Sequence, residues 1–122
     1  MSMNSMNGSA LDTAQLAAIA SHLSRQACIA AAYLLGSAAE ERLRPDSDVD
    51  IAVLTLSRGG IPLADRLSLT AELSRLAGRE VDLGVLTSHN LVYAKEVVTR
   101  GRVIFDRDHS VTATFEMYAL SM

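Results

Sequence analysis

Three short apolar runs, at residues 28–35, 49–56 and 81–86, do most to constrain the fold of this chain. They are too short and too continuously apolar for surface helices, so each predicts a buried strand. The segments between them repeat apolar residues at helical spacing, and residues 102–105 fit a short closing strand. The resulting order, α-β-β-α-β-α-β-α, predicts an α/β (α+β) fold in which helices cover a mixed sheet mainly on one face.

Length and composition predict one small cytoplasmic domain. A chain of 122 residues is the size of a single domain. We expect residues 1–10 to form a flexible tail, 11–108 the domain, and 109–122 a C-terminal segment that is either a helix or a partner contact. The single Cys28 excludes an internal disulfide and a cysteine-based zinc site, which suits a reducing compartment. The net charge of −3 argues against direct nucleic-acid binding. The apolar runs are far shorter than the roughly 20 residues of a membrane span.

Three aspartates lie on or beside the predicted central strands. Asp48 and Asp50 are two residues apart, so in a strand their side chains project to the same face. Asp82 interrupts the apolar pattern of the next strand, and an adjacent position in the sheet would bring it to the same place. Carboxylates grouped in this way repel one another unless a cation lies between them, and such oxygen ligands suit Mg²⁺. The pattern therefore predicts a metal site formed by these three residues.

The alternative interpretation treats these carboxylates as structural. Asp46, Ser47 and Asp48 are residue types that are common in the turn before a strand. That explanation fits Asp50 badly, because an aspartate inside an apolar strand has to be paired, hydrogen-bonded or metal-bound. For Asp82 alone the structural and the metal-binding interpretations are about equally supported.

A second element lies at the end of the first apolar run. Gly36 lets the backbone approach a ligand, and the Ser37 hydroxyl with the amides that follow it can donate to phosphate oxygens. By itself this dipeptide also fits an ordinary strand-ending turn. Ten residues separate Ser37 from Asp48, and this spacing, with a predicted strand on each side, resembles the signature of the DNA polymerase β-type nucleotidyltransferases. Among these proteins, the short chain most resembles the minimal nucleotidyltransferases (MNT).

The resemblance covers about residues 11–108 and implies a function. In the MNT family an aspartate doublet and a third aspartate hold divalent ions, which implies two Mg²⁺ at Asp48, Asp50 and Asp82 and ATP as the substrate. It implies that Asp82 assists deprotonation of the acceptor hydroxyl. It also implies that the partner is a HEPN-domain toxin that is adenylylated on a tyrosine, so that this chain is the antitoxin in a hetero-oligomer.

The chain departs from the family pattern directly after the dipeptide at 36–37, which the resemblance implies positions the β- and γ-phosphates. The family usually continues with a basic, glycine-containing stretch that helps to hold the triphosphate, whereas this chain has two alanines followed by glutamates at 40–41. Arg42 and Arg44 are candidates to compensate for the missing basic residues. The alternative is that both arginines are solvent-facing loop charges.

Two further functions fit the same residues. One is an antitoxin that neutralises its partner by binding alone, with catalysis weakened by the acidic pair at 40–41. The other is a small-molecule nucleotidyltransferase of the aminoglycoside-modifying kind. So short a core disfavours the second, because it leaves no further domain to enclose a substrate.

Overall fold

The computed structural model describes residues 11–36, 48–56 and 60–121. Within these ranges the chain forms its helices and strands in the predicted order. They are helix α1 (Thr13–Ser24), strands β1 (Ile29–Leu35) and β2 (Val49–Thr55), helix α2 (Leu63–Ala77), strand β3 (Val81–Leu86), helix α3 (Leu91–Arg100), strand β4 (Arg102–Asp106) and helix α4 (His109–Leu120). None of the helices in these ranges has both the length and the apolarity needed to cross a bilayer.

The strands form one mixed sheet in the order β3-β2-β1-β4. β2 and β3 are parallel, because helix α2 connects them and carries the chain back to the edge at which β2 began. β1 pairs antiparallel with both β2 and β4. The predicted α/β class with a mixed sheet is thereby confirmed.

Helices pack on both faces of the sheet, two on each. α1 and α2 cover one face, to which Ile51 and Val53 of β2 project. α3 and α4 cover the other face, to which Ala52 and Leu54 of the same strand project. We expected the helices mainly on one face. The difference arises because the central strands are apolar on both sides, so each face requires a cover.

Local signals in the sequence explain where the first two helices begin and end. Asp12 and Gln15 form a capping box at the start of α1, in which each side chain accepts a hydrogen bond from the backbone amide of the other residue. The Gln15 side-chain amide also donates to the Ala77 carbonyl at 3.2 Å, which joins α1 to the end of α2. Gly78 then ends α2 in the left-handed conformation, with φ at 72°.

The C-terminal segment forms helix α4, which packs on the sheet. The Tyr33 hydroxyl of β1 donates to the Glu116 carboxylate at 2.7 Å. Burial, followed by this bond to Glu116, raises the pKa of Tyr33 above its usual range, so the hydroxyl remains a donor. At the other end of the helix, the buried Thr112 donates to Asp106 at 2.7 Å. Side-chain hydrogen bonds therefore hold α4 to strands β1 and β4.

Candidate functional site

The parallel pairing of β2 with β3 brings two of the three predicted aspartates side by side. Asp50 pairs directly with Asp82 in the strand register, so both side chains project from the same face. Asp48 lies immediately before β2, two residues from Asp50. The structure thus places Asp82 beside Asp50, while the metal-binding role of the three residues stays a prediction.

The charges of these carboxylates act on one another. All three residues are exposed, although Asp50 interrupts a strand that is otherwise largely buried. Partial desolvation, followed by the negative charges of Asp82 and then Asp48, raises the pKa of the Asp50 carboxyl above its usual range. A cation among the carboxylates would relieve this repulsion, and the in-register pairing of Asp50 with Asp82 therefore favours a metal site.

In the described part of the chain, two neighbouring carboxylates are available to bind a divalent ion. Mg²⁺ in proteins is commonly held by one or two carboxylates, with water and substrate phosphates completing its coordination. Asp50 and Asp82 form such a pair. Among the described residues, no three or more His, Cys, Asp or Glu side chains come together as a metal-binding group. The charge of Asp48 acts on Asp50 from its place directly before β2.

A pocket of about 380 Å³ opens in front of the aspartate pair. The sheet forms its floor, and helix α3 forms one wall. The lining residues are Leu35 and Gly36 at the end of β1, Asp50, Asp82 and Gly84 from the sheet, and Tyr93, Glu96, Val97 and Arg100 from α3. The pocket therefore connects the end of β1, where the predicted phosphate-binding dipeptide begins, with the carboxylates of β2 and β3.

Gly36 has a backbone conformation that favours glycine at the edge of the pocket. Its φ of 65° lies in the left-handed region, which favours glycine. A Cβ at this position would lie 3.4 Å from Oδ2 of Asp50. A side chain here would therefore narrow the pocket directly at the carboxylate.

The other predicted nucleotide-binding residues, Ser37, Arg42 and Arg44, lie outside the described residues, as does the acidic pair at 40–41. Their roles stay predictions from the sequence. Gly36 is thus the described member of that predicted set; it lines the pocket, and its phosphate-binding role also stays a prediction.

Helix α3 contributes side chains that the sequence interpretation missed. Tyr93, Glu96 and Arg100 are spaced by three and four residues, which places them on one face of the helix. This common spacing was the available signal in the sequence. Only the packing of α3 on the sheet, however, turns that face toward the aspartates.

Tyr93 lies over Gly84, the residue two positions after Asp82 in β3. A Cβ on Gly84 would come within 2.2 Å of the tyrosine hydroxyl oxygen and 3.1 Å of the ring carbon Cζ that bears it. The glycine therefore makes room for the ring at the floor of the pocket. Burial, followed by the charges of Asp50 and Asp82, raises the pKa of Tyr93, so its hydroxyl lies within the field of both carboxylates.

We expect Gly84→Ala to lower the free energy of unfolding by about 1–3 kcal/mol, because the added methyl group displaces the Tyr93 ring. In a Tyr93→Ala background the methyl group meets no hydroxyl, so its cost should fall by about 1 kcal/mol or more. Urea unfolding of all members of this double-mutant cycle measures the coupling. An equal cost in both backgrounds would contradict the contact between Tyr93 and Gly84.

In-register aspartates on neighbouring parallel strands, beside a glycine that ends a buried strand, are the arrangement expected of a polymerase β-type nucleotidyltransferase. Residues 17–110 match the family described as Polymerase beta, Nucleotidyltransferase, and the chain belongs to this family. It is therefore an enzyme of the nucleotidyltransferase class. A comparison with curated proteins gives no significant match.

Solved structures similar to this chain include toxin–antitoxin complexes. A chain of the toxin–antitoxin complex MntA-HepT is 25% identical over 91% of this chain and 86% of its own, with a TM-score of 0.72. A chain of a toxin–antitoxin complex with AMP-PNP has the same identity and TM-score over 88% of this chain and 83% of its own. A chain of the tri-AMPylated Shewanella oneidensis HEPN toxin in complex with MNT antitoxin is 23% identical, with a TM-score of 0.65 over 98% and 86%, and shares the fold. The predicted resemblance to the minimal nucleotidyltransferases is confirmed.

Proposed function

We propose that this protein transfers AMP from ATP to a tyrosine hydroxyl of a HEPN-domain toxin and is the antitoxin of that pair. The observation that carries the proposal is the in-register pair of Asp50 and Asp82, which faces a pocket that also contains Gly36. Family membership supplies the reaction class. The related complexes support the choice of nucleotide and acceptor, since one contains AMP-PNP and another a tri-AMPylated HEPN toxin with an MNT antitoxin.

The three aspartates and the glycine–serine dipeptide at 36–37 have separate parts in this reaction. Asp48, Asp50 and Asp82 are the residues that would hold Mg²⁺, with two ions expected from the family. Bound there, Mg²⁺ would lower the pKa of the acceptor hydroxyl and stabilise the charge that develops on pyrophosphate. The acceptor oxygen attacks the α-phosphorus, the bond to the bridging oxygen of the β-phosphate breaks, and pyrophosphate leaves. Asp82 takes the proton of the acceptor hydroxyl, and Gly36 and Ser37 position the β- and γ-phosphates.

The acceptor in this proposal comes from a second protein. Asp50, Asp82, Glu96 and Arg100 are all exposed, so the pocket is reached directly from solvent. A partner that docks over the pocket can present a hydroxyl to the aspartates. We therefore propose a hetero-oligomer with the toxin, formed in the cytoplasm.

Helix α4 offers an apolar surface that suits such a partner. Met117 is 72% exposed, Leu120 50% and Tyr118 44%. Exposed apolar groups that lie close together commonly mark a protein–protein contact. We include the segment 109–122 in the proposed contact with the toxin, in addition to the rim of the pocket.

Mass spectrometry of the partner tests the proposed transfer. Incubation of the protein with ATP, Mg²⁺ and the HEPN-domain protein encoded beside it should add roughly 329 Da per AMP to that partner. The modified partner should lose its ribonuclease activity. EDTA should prevent both effects, because without a divalent ion between them the anionic carboxylates repel the anionic triphosphate.

The same experiment separates the alternative functions. Neutralisation of the partner at stoichiometric amounts, with no change in its mass, would show an antitoxin that acts by binding alone. Transfer of AMP to an aminoglycoside, with the partner protein unmodified, would show a small-molecule nucleotidyltransferase. Either result would overturn the proposed function.

A further inference from the structure

The charges around the pocket are strongly unequal. Asp50, Asp82 and Glu96 place negative charge at its lining, and Asp48 adds to the field at Asp50. Among the described residues that line the pocket, Arg100 is the one basic side chain. A triphosphate carries several negative charges, so a pocket of this composition needs positive charge besides the metal ions in order to bind it.

The backbone around Arg100 is packed against the end of β1. A Cβ on the next residue, Gly101, would lie 2.5 Å from the Val97 carbonyl oxygen and 3.2 Å from both the Leu35 Cδ2 atom and the Tyr33 Cβ atom. Only glycine allows the chain to approach β1 this closely. Arg100 is thereby held beside Leu35, the residue that precedes Gly36.

The guanidinium of Arg100 has no partner among the described residues. Glu96 is four residues away on the same helix, at a spacing that often gives an ion pair. No ion pair or hydrogen bond, however, connects Arg100 to Glu96 or to any other residue in the described part of the chain. Its side chain is exposed and lines the pocket, so its hydrogen-bond donors face solvent at the end of β1.

We infer that Arg100 binds the β- and γ-phosphates of ATP. This inference rests on the proposed function, since it assumes that the pocket accepts ATP. The planar guanidinium presents paired donors that match phosphate oxygens, and a lysine at the same place presents only a point charge. The chain has glutamates at 40–41, so it lacks the usual positive charge directly after the glycine–serine dipeptide. Arg100 thereby supplies positive charge from helix α3 instead.

Calorimetric titration of the full chain with ATP and with AMP, in the presence of Mg²⁺, tests this inference. Arg100→Met should weaken ATP binding about tenfold or more, the effect of losing charge-assisted hydrogen bonds. It should leave the affinity for AMP within about twofold, because AMP lacks the two phosphates that Arg100 contacts. Arg100→Lys should restore part of the ATP affinity.

Lys95→Met is the matched control, because it removes a positive charge from an exposed position of the same helix that does not line the pocket. It should bind ATP as the wild-type chain does. Thermal melts without nucleotide should be the same for both variants, which separates a binding role from a structural one. Equal ATP affinity in Arg100→Met and the wild-type chain would overturn this inference and leave the proposed function standing. A wild-type chain that does not bind ATP would overturn both.

Discussion

Replacement of both Asp48 and Asp50 by Asn should abolish the proposed AMP transfer, with a loss of about a thousandfold or more. The loss follows because two anionic ligands become neutral amides, which hold Mg²⁺ poorly. The free energy of unfolding should be unchanged or higher. Partial desolvation and repulsion from Asp82 and Asp48 raise the pKa of Asp50, so at neutral pH the ionised carboxyl is less favourable in the folded than in the unfolded chain. Neutral side chains remove this penalty.

Transfer assays with the partner protein and thermal melts without metal together check this expectation. Asp65→Asn is a matched control, because it removes the same charge from an exposed position of helix α2, outside the pocket. It should retain both transfer and stability. A melting temperature many degrees lower in the double variant would show that Asp48 and Asp50 are structural. Retained transfer would remove them from the site.

Replacement of Tyr33 by Ala should lower the free energy of unfolding by about 3–5 kcal/mol, the range for truncating a large aromatic side chain in a core. Tyr33 is 1% exposed and belongs to the core between the sheet and helices α3 and α4. Its hydroxyl also donates to Glu116 of α4, so the substitution removes both the ring and the hydrogen bond that ties the last helix to β1.

Tyr33→Phe separates these two contributions. It keeps the ring and loses the hydrogen bond to Glu116, so we expect a cost of about 1 kcal/mol. Urea unfolding of both variants gives the two values. A cost for Tyr33→Phe that equals the cost for Tyr33→Ala would show that the hydroxyl, and not the buried ring, holds α4 on the sheet.

The helices, the strands and the doublet of Asp48 and Asp50 were predictable from the sequence, because each follows from local periodicity. Continuous apolar runs predicted β1, β2 and β3 because a strand buried on both faces cannot alternate polar with apolar residues. Spacings of three and four residues predicted the helices, and the capping box of Asp12 and Gln15 is an equally local signal for the start of α1. The doublet of Asp48 and Asp50 follows from the same kind of argument, because side-chain direction alternates along any strand.

Contacts between distant segments required the tertiary structure. An acidic break in an apolar strand made Asp82 a candidate, but only the parallel register of β2 and β3 places it beside Asp50. The helices are divided between the two faces of the sheet because both faces are apolar, and a one-dimensional pattern does not say which helix covers which face. In the sequence, Arg100 is only a charged residue at the end of a helix. The packing of Gly101 against β1, which requires the tertiary structure, places it beside the pocket.

The helices and strands, their order and the aspartate doublet thus follow from local sequence patterns, since each of these depends on backbone geometry repeated over a few neighbouring residues. Only the folded chain defines which strands are neighbours, in which register they pair, and which face of α3 borders the pocket. These features depend on how apolar surfaces from distant parts of the chain are buried together, and that burial is a property of the whole fold.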